Sequence, residues 1–412
     1  MNKQNEKQNL TLEDERNNKV NRIFKDIKRK LKTGTKIISF YICTKILSIF
    51  FRIKENRVLF LSDVRNVLDG NLKFVYDYIN KDKFEVVVSL KSDRKEKRNL
   101  KEKIKLLSNI VTAKYIILDD YSRFISIIKP RKGQEICQLW HGAGAFKKFG
   151  YSRKDKQRSN SLNEHKNYTK ACVTADDIRW CYAEGFGIDI NKVKATGMAR
   201  TDIFFDKDYI ENKKAEIYKE YPFLKNKKVI LFAPTYRGTS LRESYYNYEQ
   251  LDIEKIYNEL KYEDYIFIFK WHPGLYYKMQ KNNECPYDFE KYKDFYFDFS
   301  DKRDVNDLLL ITDILITDYS SIIFDYALLN KPVVYFVYDY EEYSKDRGLY
   351  FDFDEYVYGE ISKNSVELIN QIKSAKVIET ERRKFINKFM SACDGEATKK
   401  TCEWIFGENI VN

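Results

Sequence analysis

Ile314-Leu-Ile-Thr317-Asp318-Tyr319-Ser320-Ser321-Ile-Ile-Phe-Asp325-Tyr-Ala-Leu-Leu-Asn330-Lys331-Pro332 is the stretch that decides how this chain folds. The apolar run ending at Thr317 reads as a buried strand. Ser320 or Ser321 is placed to cap a helix, which ends near Asn330. Pro332 cannot continue a helix and opens the next strand, 332–336. Strand, helix and strand in so short a span make one βαβ unit, whose two strands run parallel. The helix start offers free N–H groups, two hydroxyls and a positive dipole end, which together suit an anion. Asp325 lies one turn further on, on the face of Ser321. It reads either as a carboxylate for sugar hydroxyls or as an exposed Asp on a well-capped helix.

The same alternation continues in both directions. Towards the carboxyl end, residues 376–407 read as helices that close this half of the chain. Towards the amino end, strands are expected at 229–234, 265–270, 295–299 and 313–317. A polar, helix-like stretch over 208–227 precedes them. Before it, a second series stands at 57–62, 84–90, 115–119, 135–140, 170–174 and 193–196. Two such series predict an α/β protein with two doubly wound, Rossmann-like domains facing a cleft. The expected divisions are 1–54, a basic tail and helix; 55–210, the first domain; and 211–412, the second domain with its carboxyl-terminal helices.

The chain of 412 residues is 43% hydrophobic, enough for two cores, and carries a formal charge of +12. That charge calls for an anionic partner: nucleic acid, lipid or a phosphorylated small molecule. Seven cysteines stand without a CxxC pair or zinc-ligand spacing, as expected of reduced thiols in the cytoplasm. Much of the positive charge is early: Lys19, Arg22, Lys25, Lys28, Arg29, Lys30, Lys32 and Lys36. The aromatic and apolar run 37–51 follows, interrupted by Lys45, too short to span a bilayer and without a cleavage site. Residues 19–51 fit a helix lying on an anionic membrane face. The alternative is an ordinary helix packed on the first domain.

Only three histidines occur. His141 in Trp140-His141-Gly142-Ala-Gly144 and His272 in Lys270-Trp271-His272-Pro273-Gly274 each end an apolar run, where open α/β sheets bind ligands. Both suit proton transfer near neutral pH. His165, in Asn163-Glu-His165-Lys, reads as a surface residue. Arg237 in Ala233-Pro-Thr-Tyr236-Arg237-Gly238, Lys270, and Arg347 beside Gly348 are candidate cations for a pyrophosphate. Each also reads as a member of a surface salt bridge.

Taken in order, Trp140-His141-Gly142, Ala233–Gly238, Lys270-x-His272-Pro273, Thr317-Asp318-Tyr319-Ser320-Ser321-x-x-x-Asp325 and Arg347-Gly348-x-Tyr350-x-Asp352 resemble the CDP-glycerol glycerophosphotransferases, over residues 55 to 400 or so. The resemblance implies a GT-B-like pair of domains and peripheral attachment at the cytoplasmic membrane face. The donor it implies is CDP-glycerol or CDP-ribitol, and the acceptor a membrane-linked hydroxyl in teichoic acid or capsule synthesis. It implies neither a metal nor a further cofactor. By the same resemblance His141 is the base on the acceptor and His272 contacts the pyrophosphate. Gly142, Arg237, Lys270, Pro273, Thr317, Asp318, Ser320, Ser321, Arg347 and Gly348 surround the donor, with Asp325 near the ribose. A GT-B glycosyltransferase using a nucleotide sugar is the alternative. Nucleic-acid binding is not expected, because no such module is visible and the charge is concentrated in the tail.

Overall fold

Strands of one series pair only with each other. β1 (Lys54–Ser62), β2 (Glu85–Leu90), β3 (Ala113–Leu118), β4 (Glu135–Gln138), β5 (Lys170–Val173) and β6 (Val193–Ala195) form a six-stranded sheet in the order β2-β1-β3-β4-β5-β6. β7 (Lys228–Phe232), β8 (Tyr265–Phe269), β9 (Tyr296–Asp298), β10 (Ile314–Thr317), β11 (Val333–Phe336) and β12 (Glu360–Ser362) form the other, ordered β12-β11-β10-β7-β8-β9. Every pairing is parallel. The strand order reverses between β1 and β3 in one sheet and between β7 and β10 in the other. A crevice opens at the carboxyl ends of the strands at such points. This computed structural model describes residues 37–91, 97–153, 165–238, 243–282, 284, 287–353 and 357–407.

The helices, among the described residues, are α1 (37–50), α2 (Gly70–Tyr78), α3 (Leu100–Thr112), α4 (Arg123–Ile127), α5 (Arg179–Phe186), α6 (Lys207–Glu220), α7 (Ile253–Leu260), α8 (Pro273–Asn282), α9 (Val305–Ile311), α10 (Ile322–Ala327), α11 (Tyr340–Arg347), α12 (Ser365–Lys373), α13 (Glu379–Phe389) and α14 (Ala397–Phe406). The expected strands all form; most are slightly shorter than expected, while β1 and β3 begin two or three residues earlier. β12 is added, a three-residue edge strand with no apolar run of its own. α10 stops at Ala327, and the left-handed Asn330 (φ 53°) turns the chain towards β11.

Two boundaries differ from the sequence reading. α6 packs on α9 and its Arg303 partners, Glu216 and Glu220, belong to it, so the second domain begins at Lys207. The last helix, α14, does not close that domain. Its Cys402, Ile405 and Phe406 are buried on the first sheet, with the Phe406 ring 4.9 Å from Tyr115 and 5.2 Å from Phe84. Lys170 Nζ donates to the Trp404 carbonyl at 2.9 Å. The apolar stripe of α14 fills a face of the first sheet that the first series of helices leaves uncovered. The chain therefore crosses between the domains twice.

Candidate active site

His141 stands just past β4, and its backbone is held from three sides. Trp140 has φ 59°, a left-handed conformation unusual for a bulky side chain. Gln138 Oε1 accepts the Trp140 N–H at 2.9 Å, and Asn71 Nδ2 donates to the Trp140 carbonyl at 2.8 Å. The Tyr182 hydroxyl lies 2.9 and 2.8 Å from the carbonyls of Gly142 and Gly144. This turn stacks the imidazole on the indole, centroids 4.5 Å apart, and leaves the His141 side chain about half exposed. Its Nδ1 is 3.3 Å from the Asp119 carbonyl oxygen, with the Asp120 carboxylate at 3.7 Å. A carbonyl only accepts, so Nδ1 carries a hydrogen; in the neutral ring Nε2 then has the free lone pair, the form a general base needs. The Asp119 carboxyl is itself buried, which raises it above the ordinary range despite its ion pair with Arg65.

His272 shows the opposite arrangement. The Gly274 N–H donates to its Nδ1 at 3.1 Å, and its carbonyl accepts from Leu275 and Tyr276 at 2.9 Å each. The histidine thus caps α8, with Pro273 in the first turn. A neutral His272 with Nδ1 accepting carries its hydrogen on Nε2, as a donor. Tyr236 packs edge-on against it, centroids 4.7 Å apart.

A cavity of about 430 Å³ joins the two domains. His141 and Gly142 line it from the first domain, with Lys147, Lys148 and Arg153; Ser321 lines it from the second. Among the described residues that line it there are cations and aromatic rings and no Asp or Glu. Gly144 makes the close approach possible: at φ +61°, a Cβ there would stand 2.1 Å from the Phe324 ring. The seam continues where Lys148 N–H donates to the Gly348 carbonyl at 3.0 Å and Tyr350 N–H to the Phe146 carbonyl at 2.7 Å. Lys147 Nζ reaches Thr235 Oγ1 at 3.2 Å.

Several sequence-predicted groups lie elsewhere. Thr317 Oγ1 donates to the Ala233 carbonyl at 2.6 Å, and Asp318 Oδ1 accepts the Thr235 N–H at 2.8 Å; both side chains are buried at the β7–β10 switch point. Arg237 does not point into the crevice. It is buried against Asp318 (2.7 Å) and Asp339 (2.9 Å), among the rings of Tyr246, Tyr319, Tyr338 and Tyr343. Lys270 donates to the Phe299 and Ser300 carbonyls, each at 3.0 Å, and to that of Arg303. Ser320 Oγ accepts the Ile322 N–H at 3.5 Å, so Ser320 rather than Ser321 tends the start of α10. Gly348 sits on the seam, immediately after α11, whose last residue is Arg347; the Arg347 side chain lies outside the described residues. His272 is not among the residues lining the cavity.

Asp325 is not an exposed carboxylate. It is buried and pairs with Arg200, Nη2 to Oδ2 at 3.0 Å. Arg200 also lies 3.4 Å from the His141 carbonyl through Nη2, and its backbone N–H donates to Asn71 Oδ1 at 3.0 Å. The sequence reading missed it, though Thr196-Gly197-Met-Ala-Arg200 follows β6 just as Trp140-His141 follows β4. His165 is corrected as well. It is 6% exposed, Nδ1 is 2.9 Å from the Tyr168 hydroxyl, and its ring meets Trp140 edge-on at 5.9 Å. The polar residues around it in sequence concealed a ring buried beneath the indole that carries His141.

Comparison with known proteins agrees with this architecture. The wall teichoic acid polymerase TagF has the same fold: TM-score 0.69 at 22% identity, over 86% of this chain and 89% of that one. The chain is 43% identical over 357 residues to the teichoic acid poly(ribitol-phosphate) polymerase of Bacillus spizizenii, covering 86% of this chain and 56% of the relative. It is 35% identical to the teichoic acid ribitol-phosphate polymerase TarL of Staphylococcus aureus, over 87% and 64%. It is 31% identical to the teichoic acid ribitol-phosphate primase of Bacillus spizizenii, over 88% and 93%. The chain thus spans a little over half of the first of these relatives and under two thirds of the second. The family model for CDP-glycerol:poly(glycerophosphate) glycerophosphotransferase matches residues 43–407, and the chain belongs to that family.

Proposed function

We propose that this protein transfers a polyol phosphate from a CDP-alditol to a hydroxyl of a membrane-linked acceptor, releasing CMP, in teichoic acid or capsular polysaccharide synthesis. The observation that carries this reading is the pair of histidines with opposite proton placement at the ends of β4 and β8. His141 Nε2 takes the proton of the acceptor hydroxyl as its oxygen bonds to the β-phosphorus. The bond from that phosphorus to the bridging oxygen breaks, and CMP leaves. His272, at the end of β8 and outside the cavity that His141 lines, offers its Nε2–H to the donor pyrophosphate from the second domain. Lys147, Lys148, Arg153 and Ser321 give the anion its surroundings, a role for which Arg237 and Lys270 are already engaged. Positioning and charge stabilisation then supply most of the rate beyond base catalysis.

CDP-ribitol is the donor this reading favours. The relatives at 43% and 35% identity are named for ribitol phosphate; at 31% one is named for ribitol phosphate and one for glycerol phosphate, and at 30% and 28% the names are for glycerol phosphate. The test is CMP release from CDP-ribitol and CDP-glycerol, with UDP-sugars as controls, using a membrane-extract acceptor. Release from CDP-ribitol above CDP-glycerol is expected. Turnover of UDP-sugars alone would replace this reading with a glycosyltransferase.

Attachment is assigned to α1. Phe40 and Thr44 face the first domain, and Arg131 donates to the Ser48 and Phe51 carbonyls at 3.0 and 2.9 Å. The opposite face exposes Ile38, Ile42, Ile46, Ile49 (79%) and Phe50 (76%). An apolar face turned outward on an anchored helix supports peripheral seating on a bilayer. No described helix is long and apolar enough to cross one. The basic segment 19–36 lies outside the described residues.

A further inference from the structure

We infer that the amino-terminal half of α3 is a second lipid-contacting element, forming with α1 one surface that docks on an anionic bilayer. This rests on the membrane reading of α1 and extends it to a part of the first domain far from the tail in sequence. α3 has two unlike halves. From Leu106 onward its apolar side chains enter the core, whereas Leu100 is 73% exposed and Ile104 is 54% exposed. These two stand at i and i+4, on one face. Lys97, Lys101, Lys103 and Lys105 are exposed around them. The carboxylate of this half, Glu102, is on the opposite side, held by Lys91 at 3.0 Å and by the Asn99 N–H at 2.7 Å.

The projection is built rather than frayed. Asn99 and Glu102 form a reciprocal capping box. Arg98, just before it, is 4% exposed, pairs with Asp63 at 2.6 Å and donates to the Ser62 carbonyl at 3.2 Å. A helix that faces only water would turn lysines outward and leucines inward. Here an apolar pair points outward with lysines along both flanks. That arrangement lets the lysine stems lie on apolar surface while their ammonium groups rise to phosphate headgroups. A second copy of the chain is a poor occupant, because it would set the same lysines against each other.

One side chain joins this element to α1. The Phe124 ring is 5.1 Å from Phe40 of α1, and the Arg98 guanidinium lies 5.6 Å from the same ring. Phe124 also ends the short segment that leaves β3 at Asp119. Within that segment the Asp119 carbonyl holds His141, Tyr121 lines the cavity and Ser122 donates to Asp63 at 2.6 Å. The lipid-facing surface and the base are thus two ends of one loop, which would present a lipid-linked hydroxyl to His141.

The experiment is co-sedimentation of the full chain with phosphatidylcholine vesicles, with and without phosphatidylglycerol. The variants are Leu100→Ser/Ile104→Ser, Lys101→Glu/Lys103→Glu, and Ile42→Ser/Ile46→Ser/Ile49→Ser in α1. Each α3 pair is expected to weaken anionic-vesicle binding about tenfold or more, at unchanged thermal midpoint. The charge-reversed pair is expected to show a weaker preference for phosphatidylglycerol than wild type. Wild-type binding by both α3 pairs, with binding lost in the α1 variant, would overturn the inference and leave the α1 reading standing. Wild-type binding by all three would overturn both. A change in sedimentation-velocity mass for the Leu100/Ile104 pair, without a change in vesicle binding, would make the face a self-association surface and overturn the inference. As a check that does not rely on loss of binding, a Trp placed by Ile104→Trp should be quenched by brominated lipid; no added quenching contradicts the proposal.

Discussion

Arg200 and Asp325 form a two-bonded ion pair across the cleft, from the end of β6 to the helix that follows Ser321. Because Arg200 also reaches the His141 carbonyl and Asn71, the pair ties the turn that carries His141 to α10. Both side chains are largely withdrawn from water. Removing one leaves a buried charge alone, a loss of about 3–5 kcal/mol. Arg200→Ala is expected to lower stability by that order and to reduce kcat, and Arg200→Leu/Asp325→Leu to recover part of the stability but not the rate. A double-mutant cycle by chemical denaturation and steady-state kinetics checks this. Additive effects would remove the coupling.

Gly144 and Gly142 stand two positions apart and carry different constraints. A Cβ at Gly144 would overlap the Phe324 ring at φ +61°, whereas at Gly142 the nearest atom is the Trp140 indole nitrogen at 3.8 Å. Gly144→Ala is expected to destabilise by roughly 2–4 kcal/mol, combining overpacking and left-handed strain. Gly142→Ala should stay within about 1 kcal/mol of wild type. Thermal midpoints compare them, and equal effects would contradict the described seam.

Lys331 gives a pH signature. Its ammonium donates to the Leu310 carbonyl at 3.1 Å, and burial lowers its pKa from 10.5 to about 8. The folded state then binds fewer protons than the unfolded chain between those values, so this group makes stability rise with pH across the window. Lys331→Met should remove that part of the slope. Parallel midpoint-versus-pH curves for the two proteins between pH 7.5 and 10 or so would refute the assignment.

Much of the fold was legible because parallel strands buried on both faces appear as continuous apolar runs, as at 229–234 and 265–270. β12 and the attachment of α14 to the first sheet were not, since a three-residue edge strand has no pattern and an apolar stripe does not say which sheet it meets. The loop positions of His141 and His272 were readable from strand ends. The cations were not. Arg237 finds its carboxylates 81 and 102 positions away, and Arg200 finds Asp325 at 125, distances at which local sequence carries no information. His165 was misread for the same reason, its burial being set by Tyr121, Trp140 and Phe186 rather than by its polar neighbours.

The central claim is that His141 Nε2 is the base, with Nδ1–H turned to the Asp119 carbonyl. It is tested by measuring, on His141→Ala, both calorimetric affinity for the CDP-alditol donor and single-turnover transfer to acceptor. Near-wild-type affinity is expected, with transfer slowed by about 10²–10⁴-fold. Transfer at the wild-type rate, or affinity lost in step with it, would contradict that role.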